Sequence, residues 1–108
     1  MANTFTSYMN KDVGTSPATV VTVGAATQTT IIGLDIANTT ASPITADVYV
    51  TRSAVNYYLI KSAVVPVGGS LIVVGADQKV VLITSDALKV QTSAAASADV
   101  VTSVLNIT

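Results

Sequence analysis

Six aspartates (Asp12, Asp35, Asp47, Asp77, Asp86 and Asp99) and five basic residues (Lys11, Arg52, Lys61, Lys79 and Lys89) are all the charged side chains in this chain of 108 residues. There is no histidine and no cysteine. Nucleophilic catalysis needs a hydroxyl or thiol beside a base, and a third group that orients the base. Serine and threonine hydroxyls are plentiful, but without histidine the usual general base near neutral pH is missing. Glycosidase-like chemistry would need two carboxylates a few ångströms apart, one of them raised in pKa by burial. Asp35 and Asp47, on consecutive strand-like segments, are the one pair to check, although like charges placed directly opposite would repel. Every aspartate sits in or beside a turn or on the polar side of a strand, and all six read as solvated carboxylates. The sequence therefore assigns no catalytic residue, and the chain is expected not to be an enzyme.

Metal and cofactor chemistry fares no better. Thiolate and imidazole ligands are missing, no loop carries an aspartate-rich calcium pattern, and no glycine-rich loop cradles a phosphate. Gly68-Gly69-Ser70 and Gly75-Ala76-Asp77 read as hairpin turns. No metal, no cofactor and no small-molecule substrate is expected. Asn38-Thr39-Thr40 and Asn106-Ile107-Thr108 fit the glycosylation triplet, but a chain that stays in the cytoplasm never meets that machinery. Tyr57 and Tyr58 lie between Arg52 and Lys61, yet two cations do not make the basic groove that single-stranded nucleic acid needs. A net charge of −1 attracts neither phosphate backbones nor anionic lipid. Adjacent residues in a strand point to opposite faces. Either one tyrosine is core while its neighbour meets solvent, or that neighbour anchors a protein interface, where tyrosine is enriched.

The elements that must position these residues are strands. Valine (18), threonine (16) and isoleucine (8) supply 42 of the 108 residues, and β-branching favours pleated strands over helices. Short apolar runs alternate with turn signals from Ala18 onward. Val20, Val21 and Val23 open the series. In Gln28 to Ala37, Ile32, Leu34 and Ile36 are expected on one face, and Ile31, Gly33, Asp35 and Ala37 on the other. Asn38 to Pro43 is a turn. Beyond it Ile44, Ala46, Val48 and Val50 alternate with Thr45, Asp47, Tyr49 and Thr51. Tyr57 to Ile60, Leu71 to Val74, Lys79 to Thr84, Ala87 to Thr92 and Asp99 to Ile107 complete about eight strands. Ser93 to Ser97 is an alanine-rich linker too short to bet on as a helix. The pattern predicts an all-β protein, a single antiparallel β-sandwich, Ig-like or jelly-roll, over residues 15–108.

Residues 1–14 are expected as an extended N-terminal arm. They hold Phe5, Tyr8 and Met9 with no core of their own, so these side chains either fold back on the same domain or dock on a neighbouring subunit. Fully extended, such an arm reaches up to about 45 Å. No run approaches the roughly 20 apolar residues of a spanning helix, and the polar start lacks the apolar stretch of a secretory signal. A soluble chain made in a cytoplasm, with no membrane contact, is expected.

Charged residues make up 10% of the chain, against about 25% in ordinary soluble proteins. An exterior so short of charge is poorly defended against association, and much of it is expected to be covered in an assembly. Phe5, Tyr8, Met9, Tyr57 and Tyr58 are the candidate protein-interface residues.

Four segments, GTSPATVVTV (14–23), TTIIGLDIANTTASPITADVYV (29–50), YYLIKSAVVPVGGSLIVVGADQKVVL (57–82) and SVLNIT (103–108), give nearly the whole chain a likeness in strand and turn phrasing. It resembles the small β-sandwich virion structural proteins of tailed bacteriophages, either capsid decoration or neck and tail accessory proteins. The resemblance carries no site motif. It implies a non-enzymatic virion component synthesised in the bacterial host cytoplasm, most simply a capsid decoration or cement protein held by many weak contacts. Its partners would be the major capsid protein or neck and tail proteins, together with further copies of itself. A ring-forming neck, collar or tail component is the alternative within that class. A receptor- or glycan-binding β-sandwich module is the alternative outside it, lowered by the absence of tryptophan.

Overall fold

The computed structural model describes residues 2–75 and 79–108. Among these, nine strands are formed and no helix: β1 (Asn3–Val13), β2 (Ala18–Thr22), β3 (Gln28–Asn38), β4 (Ile44–Arg52), β5 (Val55–Val65), β6 (Ser70–Val74), β7 (Val80–Leu82), β8 (Ala87–Thr92) and β9 (Ala98–Ile107). They build two antiparallel sheets packed as a sandwich. One runs β1-β9-β3-β6 with β7 also on β3, and the other runs β2-β8-β4-β5. The turn expected at Gly75 to Gln78, and with it Asp77, falls largely outside the described residues.

The core is mostly branched aliphatic. Ile31, Leu34, Ile36, Leu82, Val100 and Val104 from the five-stranded sheet meet Ile44, Val48, Val65, Leu88 and Val90 from the other, all essentially inaccessible to water. Full burial of each such side chain contributes about 1.5–3 kcal/mol. On β4 the expected alternation holds, with Ile44, Ala46, Val48 and Val50 buried. Tyr49, on the opposite face, is covered as well because the Tyr58 ring of β5 lies against it at 4.9 Å between centroids.

On β3 the expected faces hold from Gly33 to Ala37 and are exchanged at Ile31 and Ile32. Ile31, Leu34 and Ile36 are the buried residues, while Ile32 is half-buried. A bulge between Ile31 and Gly33 in the pairing with β9 inserts one residue and reverses the alternation there. Ile31 therefore takes the core position that strict alternation gives to Ile32.

The 14 residues expected as an arm contain strand β1. It pairs antiparallel with β9 from Asn3 opposite Ile107 to Asn10 opposite Val100, and after a bulge ends with Val13 opposite Ala98. The backbone of this segment fills what would otherwise be the open edge of β9. The step between residues 14 and 15 falls where the chain crosses from one sheet to the other.

Aspartates hold the irregular places. In β1 the bulge puts Asp12 at φ 55°, and the Asp12 N–H that leaves the ladder donates to Asp99 Oδ1 of β9 at 3.1 Å. In β5 a second bulge puts Ser62 at φ 54°, and its N–H donates to Asp47 Oδ1 of β4 at 2.7 Å. Each carboxylate supplies the acceptor that the neighbouring strand's carbonyl no longer reaches. At the crossing from β3 to β4, the Asn38 amide donates to the carbonyls of Ser42 and Val65, and its Oδ1 accepts from Thr40 N and Oγ1. One nearly buried side chain thus fixes the expected turn.

Candidate functional site

The five-stranded sheet turns an apolar face to solvent. Along β9, Val100, Thr102 and Val104 are buried, so Val101, Ser103 and Leu105 point the other way. Register places Met9 of β1, Val101 of β9, Asp35 of β3 and Ile72 of β6 in one row across that outer face. A parallel row holds Phe5, Leu105, Thr30 and Val81 of β7. Between them lies a row of small residues, Ser7, Ser103 and Gly33. Phe5 (75%), Met9 (72%), Ile72 (69%), Val81 (56%) and Val101 (42%) are all substantially exposed. The result is two apolar ridges with a shallow valley between them. A single large apolar side chain on a surface is ordinary, but five on one sheet face are a patch that calls for a partner.

Charge on this sheet is sparse. Its five strands carry Lys11, Asp12, Asp35 and Asp99 and no other charged group. Lys11 Nζ pairs with Asp99 Oδ2 at 3.3 Å. Hydrogen bonds to Asp99, first from the Asp12 N–H and then from Lys11, hold its carboxyl below the usual carboxylate range. Asp35 stands alone in the middle of the Met9–Ile72 row, beside an open cleft of about 400 Å³ lined by Gly33, Ile72 and Val101 among others. Its Oδ1 is covered and accepts no hydrogen bond among the described residues.

The opposite exterior mixes polar groups with apolar ones, Val64 standing exposed beside Thr45. Register lines up Thr19, Lys89, Tyr49 and Tyr58 across the four-stranded sheet, with Asp47 opposite Gln91 and Thr51 opposite Asn56. Lys61 Nζ lies 4.5 Å above the Tyr58 ring, a cation–π contact that covers part of the one aromatic patch there.

The five candidate residues therefore do not form one site. Phe5 and Met9 share the outer face of β1, one on each ridge. Tyr8, on the other face of that strand, packs against the core, and its hydroxyl accepts from Asn106 Nδ2 at 3.5 Å. Tyr57 and Tyr58 lie on β5, at the edge of the other sheet. Both are exposed. Tyr58 stacks on Tyr49, while Tyr57 borders a cleft of about 330 Å³ with Val50, Arg52 and Val80 to Leu82. Ile72, Val81 and Val101, which complete the apolar face, carry a signal only once the register is known.

The candidate carboxylate pair does not converge. Asp35 and Asp47, the pair singled out from the sequence, belong to different sheets because the chain changes sheets between β3 and β4. Asp86, read as solvated, is buried. It accepts Arg52 Nε at 2.8 Å and Nη2 at 2.6 Å, together with the Ile83 N–H at 2.9 Å. The Arg52 hydrogen bonds are the largest cause of a lowered Asp86 pKa, against the opposing cost of burial. Among the described residues no group of three or more potential ligand side chains is placed to hold a metal ion, and no helix is long and apolar enough to cross a membrane. Asn38 of the first glycosylation triplet is buried with its amide committed to two carbonyls.

No protein-family model matches the chain, and neither the curated proteins nor the solved structures contain a match to it.

Proposed function

We propose that this protein is a non-enzymatic structural component of a tailed-phage virion, a capsid decoration protein that lays the outer face of its five-stranded sheet on the particle surface. The observation that carries the reading is the contrast between its two exteriors. One presents Phe5, Met9, Ile72, Val81 and Val101 almost without charge, and the other sets its exposed apolar groups, Val64 and Tyr58, among threonine, glutamine, aspartate and lysine. An apolar, charge-poor face of shallow relief suits a protein surface of like character, since each contact adds only what remains after desolvation and ordering costs. Repetition over a lattice turns such contacts into firm attachment. The resemblance in sequence phrasing points to the same class of protein.

Asp35 gives the face selectivity. A carboxylate covered by a partner without a donor is strongly unfavourable, so the docking surface presents a hydrogen-bond donor opposite it.

The test is incorporation into purified particles. Wild type is expected at a copy number matching the head lattice, and a single ring's worth would move the protein to the neck or tail. Ile72→Asp and Met9→Asp are expected to abolish incorporation, while Lys89→Asp on the opposite face leaves it unchanged. Absence of the wild-type protein from particles, or undiminished incorporation of both outer-face variants, overturns the proposal.

A further inference from the structure

Strand β1 is an outer edge of the five-stranded sheet. Ala2 and Thr108 exchange both backbone hydrogen bonds, Ala2 N to Thr108 O at 3.1 Å and Thr108 N to Ala2 O at 3.0 Å. Antiparallel ladders alternate bonded and non-bonded pairs, and the register with β9 is unbroken from Asn3 to Asn10. Thr4, Thr6, Tyr8 and Asn10 therefore bond to β9, while Asn3, Phe5, Ser7 and Met9 aim their N–H and C=O groups away from the sheet. Natural edges are usually blunted by charge, proline, bulges or brevity. Between Ala2 and Asn10 this edge has no charged residue, proline or bulge. Lys11, Asp12 and the bulge of β1 lie beyond this run, and the other edges offer shorter ones: β5 is interrupted by Lys61 and a bulge at Ser62, β2 and β6 span five residues each, and β7 spans three.

We infer that β1 pairs antiparallel with β1 of a second copy of this chain, about a twofold axis through Ser7. The sequence about Ser7 is self-complementary. In that register Phe5 lies opposite Met9 of the second copy, Thr6 opposite Tyr8 and Thr4 opposite Asn10, so apolar side chains meet apolar and polar meet polar. A twofold through Thr6 would also use the outward groups, but it sets Phe5 against serine and Met9 against asparagine. The Ser7 register is favoured by cross-strand pairing and by the contact of a thioether with an aromatic ring. Two five-stranded sheets then become one of ten strands. The Met9 ridge of each copy continues into the Phe5 ridge of the other, so the two apolar faces merge into one. The twofold is closed, so pairing stops at the dimer.

This inference concerns the free protein and stands apart from what the apolar face docks on. The full chain is expected to sediment as a dimer of 11.0 kDa subunits. Ser7→Pro removes an outward N–H without touching the bonds to β9. It is expected to weaken the dimer at least about 100-fold while leaving the far-UV circular dichroism native. Because the chain has no cysteine, Ser7→Cys is a clean probe of register. Bonded antiparallel pairs place Cα atoms about 5.5 Å apart, within disulfide range, so this variant is expected to cross-link under mild oxidation and Thr6→Cys is not. If Ser7→Pro fails to fold, the cross-linking pattern decides alone. A wild-type monomer at every concentration, a dimer indifferent to Ser7→Pro in a folded variant, or cross-linking through Thr6→Cys in place of Ser7→Cys overturns the inference.

Discussion

Arg52 holds Asp86 through two parallel hydrogen bonds, Nε to Oδ1 at 2.8 Å and Nη2 to Oδ2 at 2.6 Å, linking the end of β4 to the turn before β8. The arginine remains half exposed while the carboxylate is sealed, and the Ile83 N–H completes its set of partners. Such an arrangement restrains two otherwise separate turns. Asp86→Ala leaves the guanidinium and the Ile83 N–H without their acceptor, and is expected to cost about 3 kcal/mol. Thermal unfolding should show a Tm lower by roughly 10 °C or more. Asp86→Asn, which keeps one acceptor oxygen, should fall between this variant and wild type.

The same carboxylate sets the response to acid. Asp86 and Asp99 both have pKa values lowered by hydrogen bonds that the unfolded chain lacks. A lowered folded pKa means that the unfolded state takes up its proton first as pH falls. The stability these groups contribute is therefore present above the ordinary carboxylate pKa near 3.9 and is lost as pH drops through the lower folded values. With no histidine in the chain, Tm is expected to be flat from about pH 5.5 to 7 and to decline below about pH 4. In Asp86→Asn the decline should be shallower. A wild-type midpoint of stability loss near neutral pH would contradict this assignment.

How far these features are legible in the sequence depends on whether their cause is local. Alternation within one segment is local, and the expected Ala87 to Thr92 is the observed β8, while the expected Asp99 to Ile107 is β9 less one residue. Pairing is not local. Among the described residues only β4 and β5 are neighbours both along the chain and within a sheet. The separation of Asp35 from Asp47 therefore follows from a crossover that no local pattern announces. The burial of Asp86 likewise depends on a partner 34 residues away. Phe5 and Met9 are conspicuous because their flanking sequence is polar. Ile72, Val81 and Val101 sit inside apolar runs, and their exposure is set by register alone.

The bulge in β3 makes a direct contrast between neighbouring isoleucines. Ile31 is fully buried and Ile32 only half so, the reverse of what alternation from Leu34 and Ile36 suggests. Ile31→Ala is expected to cost about 2–5 kcal/mol through lost transfer energy and a cavity. Ile32→Ala should cost about 1 kcal/mol, in keeping with its partial exposure. Denaturant titrations of the two variants should show the larger midpoint shift at Ile31. Equal shifts, or a larger one at Ile32, would place the bulge elsewhere.

The β4–β5 hairpin is closed by Ser53 at φ 53° and Ala54 at φ 63°, with Arg52 opposite Val55. Two consecutive left-handed residues define the type I′ turn that matches strand twist, a turn for which Asn-Gly is preferred. An alanine held left-handed carries about 1–2 kcal/mol of steric cost, and a glycine there gives back roughly 0.5–1 kcal/mol through its freedom when unfolded. Ala54→Gly is therefore expected to stabilise the protein by about 0.5–1 kcal/mol, raising Tm by about 4 °C. Gly68 supplies the converse test. It sits at φ 69°, and beyond its chain neighbours nothing lies within 4 Å of the point where a Cβ would stand, so Gly68→Ala meets the backbone penalty without a clash. It should lower Tm by a similar amount, and a fall in Tm for Ala54→Gly would show that the turn is not left-handed at that residue.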